Sequence, residues 1–264
     1  MTAKRILIKA HQILASQFGL NPCLFLRSLR GLPVFLRDWR RFRQGYFGRM
    51  VLMPCLHDRY EEGGITKSEY FWQDLLVARW IHEARPEKHV DVGSRVDGFV
   101  AHLASFREVE VFDVRPITTH IPGVMFKQVD LTRNVGGTDL SGCGYCDSLS
   151  CLHALEHFGL GRYGDPIDSL GHERGLANMV ALLKSGGTLY LSTPVGCERV
   201  EFNANRVFDP RTIIRLAEVL GLVLRRLTVI DAGGNVRDVT PEASALRGLA
   251  ELPYNLGIFT FYKV

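Results

Sequence analysis

The sequence of 264 residues contains no run of about 18 uncharged apolar residues, so we expect no transmembrane helix. It also lacks a recognisable secretory leader, since Lys4, Arg5 and Lys9 interrupt the first apolar segment. Its six cysteines follow no regular spacing, which is typical of reduced thiols rather than of a disulfide framework. We find no internal repeat or low-complexity tract. Together these absences predict a cytoplasmic protein built on an ordinary hydrophobic core.

Positive charge is concentrated at one end of the chain. Residues 1–50 contain ten lysines and arginines against a single acid, Asp38, which gives them a formal charge of +9. Because the whole chain carries +4, residues 51–264 carry −5. Aromatic residues such as Trp39 and Phe42 are interleaved with the basic ones. This pattern favours an amphipathic helical extension that either packs on the main domain or makes peripheral contact with an anionic membrane, with nucleic-acid binding as a third interpretation.

Breaks in the helical pattern divide this basic segment. Residues 1–20 and 23–47 are predicted to be helical, with one break at Asn21-Pro22 and another near residues 31–33, where a proline follows a glycine. Residues 51–66 are typical of a connecting loop.

The two parts of the chain therefore differ in character. We predict a basic, aromatic-rich helical extension over residues 1–60 and a main domain over residues 61–264. In the main domain a helix is expected to begin at Ser68 and to end before Pro86.

The main domain alternates between strand and helix patterns, which predicts an α/β fold with a mostly parallel, doubly wound sheet. Seven strands are predicted, at residues 89–93, 109–113, 124–129, 146–152, 188–193, 223–230 and 257–263. Helices are predicted between them at residues 97–106, 173–184 and 210–220. Residues 231–255 read as a loop, so the last strand is expected to run antiparallel.

The segment HVDVGSRVDG, residues 89–98, is typical of a buried strand that leads into a helix through a ligand-binding turn. Gly93 and Ser94 supply the small, flexible residues of that turn. The dinucleotide motif G-x-G-x-x-G is not met, because Arg95 stands at the second glycine position. Either Arg95 points outward and Gly98 supplies the missing flexibility, or the cofactor site is weakened or lost.

Acidic residues lie at the ends of three successive predicted strands: Asp91, Asp113 and Asp130. Asp113 follows Gly93 by twenty residues, a spacing at which such folds hydrogen-bond a ribose. Each aspartate taken alone is equally typical of a strand end or a helix cap. Their joint placement favours a nucleoside ligand.

In this order the motifs resemble those of the class I S-adenosylmethionine-dependent methyltransferases, over residue 68 to the C-terminus. The resemblance rests on five segments: HVDVGSRVDG, VEVFDVRP, FKQVDLTR, DSLSCLHALEHFGLGRYGD and LLKSGGTLYLSTPVG. An uncharacterised branch of that superfamily is the nearest likeness. It implies a Rossmann-like sheet and S-adenosylmethionine as cofactor, with S-adenosylhomocysteine as product.

The resemblance also implies roles for individual residues. Asp113 would accept hydrogen bonds from the ribose hydroxyls. Asp130 and the backbone of Leu131 would lie at the adenine amino group. Asp91 and Gly93 would line the methionine part of the cofactor.

The segment after the fourth strand offers candidate catalytic residues. Methyl transfer to a hydroxyl needs a base with a pKa near neutral, for which histidine is suited. In a helix His153 and His157 would share one face. We predict His157 as base or substrate ligand, Glu156 as the residue that orients it, and His153 as a third member.

Two other interpretations of these residues stay open. In one, the histidines serve only to hydrogen-bond the following loop; in the other, they bind a divalent ion together with Glu156. Cys143 and Cys146, with Cys151 nearby, invite a zinc interpretation, but a strand would hold Cys146 and Cys151 apart. We predict no resident metal.

These observations favour an O-methyltransferase acting on a small-molecule or glycan acceptor, such as a sugar or glycolipid precursor. A non-catalytic scaffold that uses the basic extension is the alternative. RNA methylation is a weaker one, because no RNA-binding module is recognisable. Candidate acceptor residues are Asp58, Arg59, Tyr60, Tyr70, Phe71, Gln73, Pro194, Glu198, Asn203, Asn205 and Arg206.

Overall fold

The computed structural model describes residues 11, 14–15, 17–133 and 144–264. The chain divides into two compact units, Met1–Ile65 and Thr66–Val264. Among the described residues, no helix is both long and apolar enough to cross a membrane.

The N-terminal unit is organised around one long helix, α1 (Pro22–Gly45). Asn21 caps it by accepting a hydrogen bond from the Leu24 amide at 3.0 Å. The predicted break near residues 31–33 is wrong, because α1 continues through Pro33. A proline removes only one hydrogen bond of a helix, that to the carbonyl four residues earlier, and the 24-residue helix retains the others. A short 3₁₀ turn, Asp58–Tyr60, follows in the predicted loop.

The C-terminal unit contains ten strands and five helices in its described residues. The strands are β1 (His89–Val92), β2 (Val109–Asp113), β3 (Val124–Gln128), β4 (Cys146–Leu152), β5 (Leu183–Val195), β6 (Arg199–Glu201), β7 (Asn205–Val207), β8 (Leu222–Ile230), β9 (Val236–Asp238) and β10 (Asn255–Lys263). The helices are α2 (Glu69–Ala84), α3 (Ala101–Ala104), α4 (Gly171–Leu182), α5 (Pro210–Val219) and α6 (Ala243–Glu251). A π-helical turn, Val96–Val100, leads into α3, and a 3₁₀ turn, Leu155–His157, follows β4.

Eight strands form one sheet in the order β3-β2-β1-β4-β5-β10-β8-β9. The first five of these are parallel to their neighbours, whereas β10 lies antiparallel between β5 and β8. The predicted fold class, a mostly parallel Rossmann-like sheet with an antiparallel last strand, is confirmed. The sheet has one strand more than the predicted seven.

The additional strand lies in the segment that was predicted to be a loop. Residues 231–255 contain β9, which pairs with β8, and α6. All three residues of β9 are exposed, so they show no alternation of polar and apolar residues. Leu246 and Leu249 of α6 are buried, but two apolar residues give too short a pattern to identify a helix.

Buried side chains cover both faces of the sheet. On one face α2 contributes Val77 and Ile81, and the segment leading into α3 contributes Phe99. On the other face α4 contributes Met179 and α5 contributes Ile213. With both faces covered, the carboxyl ends of the parallel strands are where such a sheet binds ligands.

Candidate active site

A cavity of about 710 Å³ opens at the carboxyl ends of β1 to β4. The loops that follow these four strands line it, together with the first turns of α2 and with Tyr254 before β10. Its volume lies within the range of about 300–1,000 Å³ that is typical of small-molecule sites.

The loop after β1 forms part of the cavity wall. Gly93, with φ of 71°, and Ser94 both line the cavity. Asp91 does not line it, contrary to our expectation, because the side chain is fully buried beneath the loop. Its carboxylate accepts hydrogen bonds from Ser94 Oγ at 2.7 Å and from Ser150 Oγ at 2.6 Å. Burial raises the pKa of Asp91 to about 6. Asp91 therefore acts on the cavity by holding Ser94.

Arg95, which replaces the second glycine of the motif, does not fill the cavity. Its guanidinium turns to Asp97, with Nη2 2.6 Å from Oδ2, and 67% of the side chain is exposed. Gly98 does not line the cavity. A Cβ there would lie 2.7 Å from Asp74 Oδ2, so a larger residue would displace the Asp74 side chain.

The ends of β2 and β3 place Asp113 and Asp130 on the cavity, with Leu131 beside them. The Asp113 carboxylate is held by Arg115, whose Nε and Nη2 donate to Oδ1 at 3.1 Å and to Oδ2 at 2.7 Å. Asp130 accepts from Thr132 Oγ1 at 2.6 Å. Leu131 is buried. The structure thus brings both strand-end carboxylates to one cavity, where each also holds its own loop.

The segment after β4 does not form the helix that we considered. His153 has φ of 53°, a left-handed conformation that stops the strand, and the 3₁₀ turn Leu155–His157 follows. His153 Nδ1 lies 2.7 Å from Glu156 Oε1, and its Nε2 lies 3.4 Å from Glu69 Oε1. Tyr70 stacks on its ring with centroids 4.7 Å apart. Glu156 therefore bonds His153 and not, as predicted, His157, whose Nε2 is 3.8 Å away.

The two histidines differ in protonation. Burial by itself lowers the pKa of His153, but the carboxylates of Glu156 and Glu69 outweigh it and raise the value to about 9. Burial lowers the pKa of His157 below its usual 6.5. His157 Nδ1 lies 2.7 Å from the Ala204 carbonyl oxygen. A neutral His157 therefore carries its proton on Nδ1 and leaves a lone pair on Nε2.

Among the described residues, one buried carboxylate oxygen beside the cavity has no hydrogen-bond partner. Glu156 contributes to the cavity wall, but its side chain is fully buried, and no described residue donates a hydrogen bond to its Oε2. A buried oxygen without a partner is costly.

Sequence reasoning missed several residues of the cavity: Glu69, Asp74, Arg115, Arg162, Tyr163, Asp165 and Tyr254. Tyr254 Oη donates to Glu69 Oε1 at 2.8 Å across 185 residues of sequence. Tyr163 receives Arg115 over its ring, 4.4 Å from the centroid. These residue pairs are brought together by the tertiary structure, so no local sequence motif predicts them. Of the acceptor candidates, Tyr70, Gln73, Pro194 and Asn205 do line the cavity.

The metal alternatives gain no support from the geometry. Within residues 17–133 and 144–264, only His57, Asp58 and Glu61 bring three ligand atoms close together, and they are exposed or half-exposed residues of the N-terminal unit. Cys146 and Cys151 are buried free thiols. Cys143 lies outside the described residues, so the zinc interpretation stays untested there.

Comparison with known proteins gives one partial family match. Residues 143–222 match the model of a family described as a Caenorhabditis protein of unknown function, DUF268. No curated protein matches the chain in sequence.

Solved structures give a clearer likeness. A Burkholderia thailandensis 1,6-didemethyltoxoflavin N1-methyltransferase, with bound 1,6-didemethyltoxoflavin and S-adenosylhomocysteine, is 14% identical over 75% of this chain and 79% of that chain, with a TM-score of 0.51. The [4+2]-cyclase SpnF is 14% identical over 72% of this chain and 81% of its own, with a TM-score of 0.50. At this identity the likeness concerns the fold, which hosts more than one chemistry. The sheet order, the cavity at its carboxyl edge and these neighbours agree: the chain has the fold of the class I S-adenosylmethionine-dependent methyltransferases.

Proposed function

We propose that the protein is an S-adenosylmethionine-dependent methyltransferase that methylates a hydroxyl group of a sugar, glycan or glycolipid precursor. The observation that carries this proposal is the convergence of Asp113, Asp130 and a neutral His157 on one cavity.

The cavity suits the cofactor in size, access and charge. Arg95 leaves it open, and Gly93 lets the backbone approach a ligand closely. Seven carboxylates and three arginines line it, and their excess of negative charge favours a positively charged sulfonium. The carboxylates are Glu69, Asp74, Asp97, Asp113, Asp130, Glu156 and Asp165, and the arginines are Arg95, Arg115 and Arg162.

Asp113 would hold the ribose hydroxyls, and Leu131 with Asp130 would hold the adenine. Gly93 and Ser94 would face the methionine part, with Asp91 fixing Ser94 from below. When bound, S-adenosylmethionine supplies an activated methyl group on a sulfur that leaves as the neutral thioether.

The protein's own chemical task is to position the acceptor and to remove its proton. His157 Nε2 accepts the proton of the acceptor hydroxyl as the new O–CH₃ bond forms, because Nδ1 is already held by Ala204. His153 is unsuited to this role, since its two carboxylate partners keep it protonated. It instead fixes Glu156 in place.

The lone pair on His157 Nε2 favours a hydroxyl-bearing acceptor. Nε2 can accept a hydrogen bond, so the ligand beside it must donate one. An amine is a poorer candidate, because a neighbouring carboxylate favours its protonated form, which has no lone pair for methyl transfer. A sugar hydroxyl donates a hydrogen bond and keeps a lone pair.

Calorimetric titration with S-adenosylhomocysteine tests the cofactor assignment. We expect binding to wild type and an affinity lower by about 10- to 100-fold in Asp113→Ala, which removes a charged hydrogen-bond acceptor. Glu83→Ala, on the exposed face of α2, is the control and should bind as wild type does. Absence of binding to wild type would contradict the proposal.

A non-catalytic use of the fold is the second candidate. Arg115 already makes a bidentate contact with the Asp113 carboxylate, and this contact favours a site that does not bind ribose. The same titration separates the two candidates, because a scaffold predicts no binding to wild type or to an Arg115→Ala variant.

A further inference from the structure

The N-terminal unit carries a surface that methyl transfer does not use. We propose that α1 docks on an anionic phospholipid surface, with its apolar face against the lipid and its arginines among the headgroups. This inference is independent of the proposed enzymatic function.

The residues of α1 separate into two faces at 100° per residue. One face is mostly apolar, with Arg43 within it, and the opposite face is mostly basic, with Leu26 and Val34 among its arginines. The apolar side chains are Leu24, Phe25, Leu29, Leu32, Phe35, Leu36, Trp39 and Phe42. The arginines of the opposite face are Arg27, Arg30, Arg37 and Arg41.

Among the described residues, much of the apolar face is exposed, although Phe35, Leu36 and Trp39 in its middle are half-buried. Phe25 is 64% exposed, Leu29 is 50% exposed and Phe42 is 63% exposed. The only buried residue of α1 is Gly31, which meets the carbonyl of Leu56 at one edge of the apolar face, beside Leu24 and Phe42. Large exposed apolar side chains that line one face mark an interaction surface.

Continuity through Pro33 makes this surface long. At 1.5 Å per residue the 24 residues of α1 span about 36 Å. A helix broken near residues 31–33 would have turned its two halves apart. The uninterrupted helix instead keeps Phe25 and Phe42 in one apolar sector, about 100° apart around the helix axis.

The charge of α1 favours an anionic lipid surface over a second copy of the helix or a nucleic acid. Between residues 22 and 50 seven arginines face one acid, Asp38, which pairs with Arg37 and Arg59 at 2.9 Å each. A second copy of α1 would bring like charges together, and a nucleic acid would leave the apolar face in water. An anionic bilayer satisfies both faces at once.

Vesicle flotation with the full chain tests the proposal. The vesicles are phosphatidylcholine alone or an equimolar mixture with phosphatidylglycerol. We expect binding to the mixture only, weakening as added salt screens the headgroups. The combined variant Arg27→Glu, Arg37→Glu, Arg41→Glu should lower the partition coefficient by about 100-fold, at about fivefold per arginine lost.

Two further variants complete the design. The combined variant Phe25→Gln, Leu29→Gln, Phe42→Gln replaces three apolar side chains with glutamine, which is a good helix former. It should also lower vesicle binding by more than about tenfold. The control Arg215→Glu, Arg237→Glu, Arg247→Glu makes the same charge change at exposed sites of the other unit and should bind as wild type does. Thermal unfolding and circular dichroism verify that each variant is folded.

Three outcomes would overturn the proposal. Equal binding of wild type to both vesicle types would show that lipid charge plays no role. An equal loss of vesicle binding in the α1 glutamate variant and the control glutamate variant would show that the arginines of α1 have no specific role. A wild-type dimer that the glutamine variant converts to monomer, with vesicle binding unchanged, would assign the apolar face to a second copy.

Discussion

Replacing His153 with glutamine should destabilise the protein in a pH-dependent way. His153 is 8% exposed and lies between the carboxylates of Glu156 and Glu69, which raise its pKa from 6.5 to about 9. Since one pKa unit corresponds to about 1.4 kcal/mol, this shift corresponds to about 3 kcal/mol of stabilisation of the folded state.

The sign follows from the raised pKa. The folded protein binds the His153 proton more tightly than the unfolded chain does, so the stabilisation is complete below about pH 6.5 and is lost as pH rises towards 9. We therefore expect the difference in unfolding free energy between wild type and His153→Gln to be largest near pH 6. It should shrink by about 3 kcal/mol by pH 9.5.

Urea unfolding at a series of pH values measures this difference. His172→Gln is the matched control: burial lowers the pKa of His172 to about 4, so only the unfolded chain titrates it near pH 6.5, and its difference should change by less than about 1 kcal/mol and in the opposite direction. A nuclear magnetic resonance titration of the ring protons gives the His153 pKa directly. A difference that does not change between pH 6 and 9.5, or a His153 that titrates below 6.5, would refute the ion-pair reasoning.

Two other substitutions have defined outcomes. His157→Gln should lower the rate of methyl transfer from labelled S-adenosylmethionine to a glycolipid or sugar acceptor by about 10²- to 10⁴-fold. The affinity for S-adenosylhomocysteine, measured by calorimetry, should not change. An unchanged rate would show that His157 is not the base. Gly31→Ala should lower thermal stability, because its Cβ would lie 1.7 Å from the Leu56 carbonyl oxygen. Gly45→Ala, where nothing lies within 4 Å, is its control and should not destabilise.

Periodic patterns explain why most of the fold could be predicted. β1, β2 and β4 are buried along nearly their whole length, and such strands read as apolar runs bounded by turns. The strand-end position of Asp113 and Asp130 follows from the same patterns. Prediction failed at α6, where the apolar pattern was too short, and at Pro33, where a proline did not end the helix.

The candidate site was less predictable, because its contacts join distant segments. The role of His153 depends on Glu69, 84 residues earlier, and on the left-handed backbone at φ of 53° that turns its ring towards Glu156. Nothing in the local sequence distinguishes His153 from His157, yet the structure makes one a charged structural residue and the other a neutral base candidate.

The sequence by itself determined the order of most strands and helices, the edge of the sheet at which a ligand would bind, and the charge imbalance of the N-terminal segment. These features depend on the period of side chains along one element, which the sequence records directly. Only the tertiary structure decided which carboxylate meets which histidine, that Asp91 lies beneath the cavity, and that α1 has one continuous apolar face. Those outcomes depend on the close approach of residues far apart in the chain and on whether a local break is tolerated, and neither follows from spacing alone.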